Sequence, residues 1–168
     1  MWYNSYTYNC RKRVRVVLEE FSGNYAHTID AKGRATIPAA FRDALGERFT
    51  IGLNNERTAI ALYPEEKWRQ IGEMLDRIPE TDVRGMAYVR LIKAFSFTNQ
   101  TLDAQGRVLL PQALRQKADM TKNIRFAGAG RCLEIWDEDR FIANCMKDEA
   151  DFVSLMSYVN DRYYGPKV

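Results

Sequence analysis

Apolar residues in this chain follow two spacings. Short runs at Phe49–Leu53, Ala59–Tyr63, Ile124–Ala127 and Cys132–Trp136 predict four strands. Asn54-Asn55 turns the first pair, and Gly128-Ala129-Gly130 turns the second. Elsewhere the spacing is helical. Trp68, Ile71, Leu75 and Ile78 form one stripe and predict a helix over Pro64–Ile78. Thr81-Asp82 caps a second helix that runs to about Phe95, with Val89, Ile92 and Phe95 on its apolar side. A third begins near Asp137, where acidic residues 137–139 suit a helix N-terminus, and passes through Phe141, Ile142 and Cys145. Phe152, Met156 and Val159 predict a last helix before Tyr163-Tyr164-Gly165-Pro166. An aromatic stripe of this kind reads as core or as an oligomer surface.

The pattern is written twice. Shifted by 73 residues, Thr28-Ile29-Asp30-Ala31-Lys32-Gly33-Arg34-Ala35-Thr36-Ile37-Pro38 overlies Thr101-Leu102-Asp103-Ala104-Gln105-Gly106-Arg107-Val108-Leu109-Leu110-Pro111, with six of eleven positions identical. The register continues without a gap. Ala40 and Arg42 fall on Ala113 and Arg115, Ile51 on Ile124, and Glu65 on Glu138. Two copies of one unit, 24–70 and 97–143, are therefore expected, joined by a helical linker 71–96 and followed by a helical tail 144–168.

Local chemistry parses each unit as β-α-β-β. In D-A-[KQ]-G-R, Asp30 or Asp103 can fold its carboxylate onto turn amides, and Gly33 or Gly106 can take a positive φ. Residues 35–37 and 108–110 continue as a strand. Pro38 and Pro111 are expected at the first helical position, where a missing N–H costs nothing. Phe41, Ala44 and Leu45, and Leu114 and Ala118, mark the buried faces of the two short helices. The Gly128-Ala129-Gly130 segment lacks the helix and the G-K-[ST] of a nucleotide-binding loop, so it reads as a hairpin turn.

Composition narrows the chemistry. One histidine, His27, excludes a multi-His metal site, and no cofactor is implied. Cys10, Cys132 and Cys145 show no C-x-x-C spacing, which excludes a zinc ribbon; Cys132 and Cys145 read as core hydrophobes in a reduced, cytoplasmic protein. No run approaches the about 18 apolar residues of a membrane helix. The net charge of +3 conceals an uneven distribution. Residues 101–131 carry +4, and residues 132–168 carry −4. Positive charge thus collects near the repeated turn, which suits a polyphosphate partner and, on charge alone, suits a solvated surface equally well. Arg34 and Arg107 stand at the same place in both copies, where a guanidinium can bind a guanine edge or a phosphate through two bonds. Each can equally pair with its own Asp30 or Asp103, and the aspartate then orients the arginine.

The paired DAKGR and DAQGR motifs, each followed by a proline-led helix, resemble the MraZ family of bacterial transcription regulators over about residues 21–147. The resemblance implies an α+β, β-rich fold in which two SpoVT/AbrB-like units pair as a swapped-hairpin, double-psi-like barrel. It also implies a ring-shaped homo-oligomer that associates with the nucleoid. Such a ring would bind direct repeats of double-stranded DNA in the promoter of the division and cell-wall gene cluster, with no small-molecule substrate. Carried over, the family's D-x-x-x-R motif implicates Asp30 and Arg34, and Asp103 and Arg107, in DNA contact. Lys32 matches the basic loop position, and Gln105 replaces it in the second copy.

Family members start near Phe21-Ser22-Gly23, so residues 1–22 are expected to be a disordered arm or a mis-assigned start. Arg11-Lys12-Arg13-Val14-Arg15 could reach a phosphate backbone. An AbrB-like antitoxin that binds DNA and a protein partner is the alternative, though such proteins carry one unit and a disordered tail. An aspartic-protease-like carboxylate pair is disfavoured. Asp30 and Asp103 lack the D-[TS]-G context, and an adjacent arginine holds each one ionised.

Overall fold

Each half of the chain runs strand, strand, short helix, strand, strand, helix. The structure, a computed structural model, describes residues 20–164. The first half holds β1 (Asn24–Thr28), β2 (Arg34–Thr36), α1 (Ala39–Leu45), β3 (Phe49–Leu53), β4 (Ile60–Pro64) and α2 (Glu65–Leu75). A linker helix α3 (Val83–Ala94) follows. The second half holds β5 (Phe97–Gln100), β6 (Arg107–Leu109), α4 (Gln112–Lys117), β7 (Asn123–Gly128), β8 (Leu133–Asp137) and α5 (Glu138–Ala150). Helix α6 (Phe152–Val159) and a π-helical turn (Asn160–Tyr164) close the described chain. Cys10 and the basic segment 11–15 lie outside the described residues.

The α+β architecture is built on exchange. Six strands form an antiparallel sheet in the order β1-β7-β8-β4-β3-β5, and β2 pairs with β6 as a separate two-stranded ribbon. Thus β1 leaves its own unit to pair with β7, and β5 pairs with β3. The registers reveal a local two-fold. Ala61 faces Glu134 at the centre of β4–β8, and Ala35 faces Val108 at the centre of β2–β6. Both pairs are 73 residues apart, so the axis that relates the repeats passes through them.

Exchange gives the two units one core. Ile37 and Leu110, Phe41 and Leu114, Ile51 and Ile124, Ile60 and Leu133, and Leu62 and Ile135 are equivalent pairs, and every member is at most 2% exposed. Burying each such side chain contributes about 1.5–3 kcal/mol. Neither unit closes this core alone, because each lends the other its first strand.

Several details depart from the sequence pattern. Pro38 and Pro111 are N-caps with extended ψ of 139° and 133°, one residue outside the helix. Their carbonyls accept from Phe41 N–H and Leu114 N–H. Helix α2 ends at Leu75 rather than Ile78, where Asp76 N–H bonds back to Gly72 O. Cys132 is only partly buried just ahead of β8, and Cys145 is exposed because α5 lies on the surface and buries no residue. Phe21, at the end of the expected N-terminal extension, is a core residue. It exchanges backbone hydrogen bonds with Gly130, on the turn that joins β7 and β8.

Candidate nucleic-acid interface

The two D-x-x-x-R segments fold identically. Asp30 Oδ1 accepts the backbone N–H groups of Lys32 and Arg34, each at 2.9 Å, and Asp30 Oδ2 accepts Arg34 Nε at 2.8 Å. In the second copy Asp103 Oδ1 accepts from Gln105 N at 3.0 Å and Arg107 N at 2.9 Å, while Oδ2 accepts Arg107 Nε at 2.8 Å. One carboxylate therefore ties the turn backbone and orients the arginine fork. Gly33 and Gly106 hold φ of +80° and +73°, as the turn requires. Donation by the Arg34 N–H, and then by its side chain, pulls the Asp30 pKa down from 3.8 to about 2. The Arg107 N–H lowers Asp103 in the same direction.

The ribbon then fixes where the arginines sit. Arg34 pairs with Leu109, and Thr36 with Arg107. Because side chains alternate along a strand, these four residues share one face and Ala35 and Val108 share the other. Ala35 and Val108 are buried, so the arginine face points outward. Two guanidiniums thus sit diagonally on the exposed side of a two-stranded antiparallel ribbon. A ribbon of this width fits the major groove of B-DNA.

A family model described as "MraZ protein, putative antitoxin-like" matches residues 21–89 and 96–155. A transcriptional regulator MraZ of Carboxydothermus hydrogenoformans is 36% identical over 143 residues, which cover 84% of this chain and 97% of the relative. Another, from Desulfitobacterium hafniense, is 42% identical over 123 residues, covering 70% and 81% respectively. The MraZ of Moorella thermoacetica is 37% identical over 146 residues, covering 84% and 97%. The chain belongs to the MraZ family of transcriptional regulators.

In this MraZ-family chain the structure adds two residues that the motif alone does not single out. Arg42 on α1 donates through Nε to Ile37 O at 2.9 Å, and Arg115 on α4 donates to Leu110 O at 3.0 Å. Each guanidinium then crosses the two-fold. A Cβ built on Gly33 would meet Arg115 Nη2 at 2.9 Å, and one on Gly106 would overlap the Arg42 guanidinium. The signal was in the repeat, since Arg42 falls on Arg115 at the 73-residue shift. What sequence could not show is that each arginine serves the other unit's turn.

The two MraZ turns differ in charge. Gln105 Oε1 accepts Arg107 Nη2 at 3.1 Å, a bond that the ammonium of Lys32 cannot make to Arg34. The first turn keeps one more positive charge, and its Arg34 Nη2 pairs with Asp30 Oδ2 at 2.8 Å where Arg107 Nη2 uses Gln105. Not every nearby cation is free: Arg125 pairs with Glu138 at 2.5 Å and also donates to Asn24. Among the described residues there is no cluster of His, Cys, Asp or Glu that could hold a metal ion, and no helix is long and apolar enough to cross a membrane.

Proposed function

We propose that this chain binds double-stranded DNA by seating the β2–β6 ribbon in the major groove, with Arg34 and Arg107 reading base edges. The placement of both arginines on the outward face of one ribbon carries the reading. Asp30 and Asp103 hold the guanidiniums in orientation, Gly33 and Gly106 make the turns, and Lys32 adds a charge toward the phosphate backbone. A fixed fork loses little freedom on binding, so its two-bond recognition of a guanine is not offset by ordering. The protein acts as a cytoplasmic, nucleoid-associated binding protein rather than an enzyme.

The targets are direct repeats in the promoter of the division and cell-wall gene cluster, read by successive subunits of a ring-shaped homo-oligomer. The apolar surface of α6 supports self-association: Phe152, Val153, Leu155, Met156 and Tyr158 are all exposed. Several ribbons acting together turn a weak single contact into a specific complex. Footprinting of the full chain on the DNA upstream of its own gene tests this. Protection at regularly spaced repeats is expected, and uniform or absent protection would overturn the reading.

A further inference from the structure

The backbone keeps the two-fold at the ends of the ribbon, and charge breaks it. At the Asp30 end lies a shallow concavity lined by Thr28, Asp30, Arg115, Thr121 and Lys122 among others. The corresponding concavity at the Asp103 end is lined by Thr101, Arg42, Asp43 and Glu47. Thr28 matches Thr101 and Arg115 matches Arg42, but the carboxylates Asp43 and Glu47 fall on the uncharged Gln116 and Met120, and Lys122 falls on Phe49. The one carboxylate at the first site, Asp30, is already engaged by Arg34 and two turn amides. Thr121 is engaged as well, donating its hydroxyl to Asp137 at 2.6 Å.

Arg115 has capacity to spare. Its Nε bonds to Leu110 O, which fixes the plane of the guanidinium, and its Nη groups make no hydrogen bond or ion pair among the described residues. Lys122 is exposed and has no ion-pair partner among them. A planar fork with free Nη groups beside a second cation suits a phosphate monoanion.

We propose that Arg115 and Lys122 form a subsite for a DNA backbone phosphodiester at the Asp30 end of the ribbon, with no counterpart at the Asp103 end. This rests on the DNA-binding reading above. It has a geometric consequence: a two-fold symmetric ribbon can seat in a groove in either of two orientations. A phosphate site at one end, and carboxylates that repel phosphate at the other, select one orientation for each subunit. Subunits seated in a common orientation match direct repeats.

The test measures affinity of the full chain against salt, on a duplex of its own upstream region and on a random-sequence duplex. Arg115→Gln and Lys122→Gln are each expected to weaken binding to both duplexes and to reduce the log–log salt slope by about 0.9 per seated subunit. Arg115→Lys keeps the charge and is expected to keep the slope, whereas Arg42→Gln is expected to lower it by less than Arg115→Gln does. An unchanged slope in Arg115→Gln, or an equal fall in Arg42→Gln, overturns the subsite. So does Arg115→Lys behaving like Arg115→Gln, since that outcome assigns Arg115 to stapling α4 onto β6. If the parent chain binds neither duplex, or Arg34→Ala/Arg107→Ala binds as well as the parent, the DNA-binding reading itself falls. If that double variant loses affinity while Arg115→Gln keeps the slope, only the subsite falls.

Discussion

Arg42, on the helix of the first unit, lays its guanidinium over the turn glycine Gly106 of the second. The two-fold places Arg115 over Gly33 in the same way, so each turn is completed by the opposite unit.

This contact predicts the cost of altering the turns. Gly106→Ala must take φ of +73° with a side chain and push aside the Arg42 guanidinium, which is held by Ile37 O. A loss of about 1–3 kcal/mol is expected, measured by urea unfolding. Gly33→Ala meets Arg115 at the longer 2.9 Å and is expected to lose less. Equal stability of Gly106→Ala and the parent would show that the turn is not held as described.

Arg34→Ala and Arg107→Ala test the proposed base contacts. Each guanidinium bonds only to its own turn, to Asp30 in the first unit and to Asp103 and Gln105 in the second, and none of these contacts reaches the core. Each variant loses one exposed ion pair, so the unfolding temperature is expected to fall by a few degrees at most. Affinity for upstream DNA is expected to fall by about 1–3 kcal/mol for each arginine. A folded double variant with parental affinity in a gel-shift assay removes these residues from the interface.

Much of this architecture is legible because the repeat ties distant residues together. The 73-residue shift aligns β1–β4 with β5–β8, and the short apolar run at Phe49–Leu53 matches strand β3 residue for residue. The exchange of β1 and β5 is not legible in the local pattern, since strand pairing depends on which edge a strand meets; the family resemblance, which implies a swapped-hairpin barrel, carries it. The surface position of Cys145 escaped for a related reason. Helical periodicity at Phe141, Ile142 and Cys145 marks an apolar side but does not say whether anything packs on it, and Ile142 remains 46% exposed. Phe21 was missed because its single bridge to Gly130 has no periodic neighbours.

The Asp30 carboxylate predicts a pH dependence. Its folded pKa is about 2 against an ordinary 3.8, so the fold favours the ionised form. The stabilisation is fully present above pH 4 and is lost as pH falls through about 2. Carboxyl chemical shifts followed by NMR are expected to give a midpoint near 2 for Asp30. Asp30→Asn is expected to remove this part of the acid dependence while leaving that of Asp103. A midpoint for Asp30 at the ordinary carboxylate value would mean that the Arg34 bonds do not persist in solution.

Helix α6 predicts how assembly can be separated from folding. It buries no residue within the chain, and Phe152 and Val153 are 63% and 71% exposed. Apolar surface of this kind costs solubility unless another copy covers it. Leu155→Asp/Met156→Asp places two charges on that surface without touching the core. The variant is expected to keep the thermal unfolding of the parent and to sediment as a smaller species. Since each ribbon is intact, affinity for a duplex with one repeat is expected to be unchanged. Affinity for a duplex with several repeats falls toward the single-repeat value, because linked binding is lost. A variant that sediments like the parent would place the subunit interface elsewhere on the molecule.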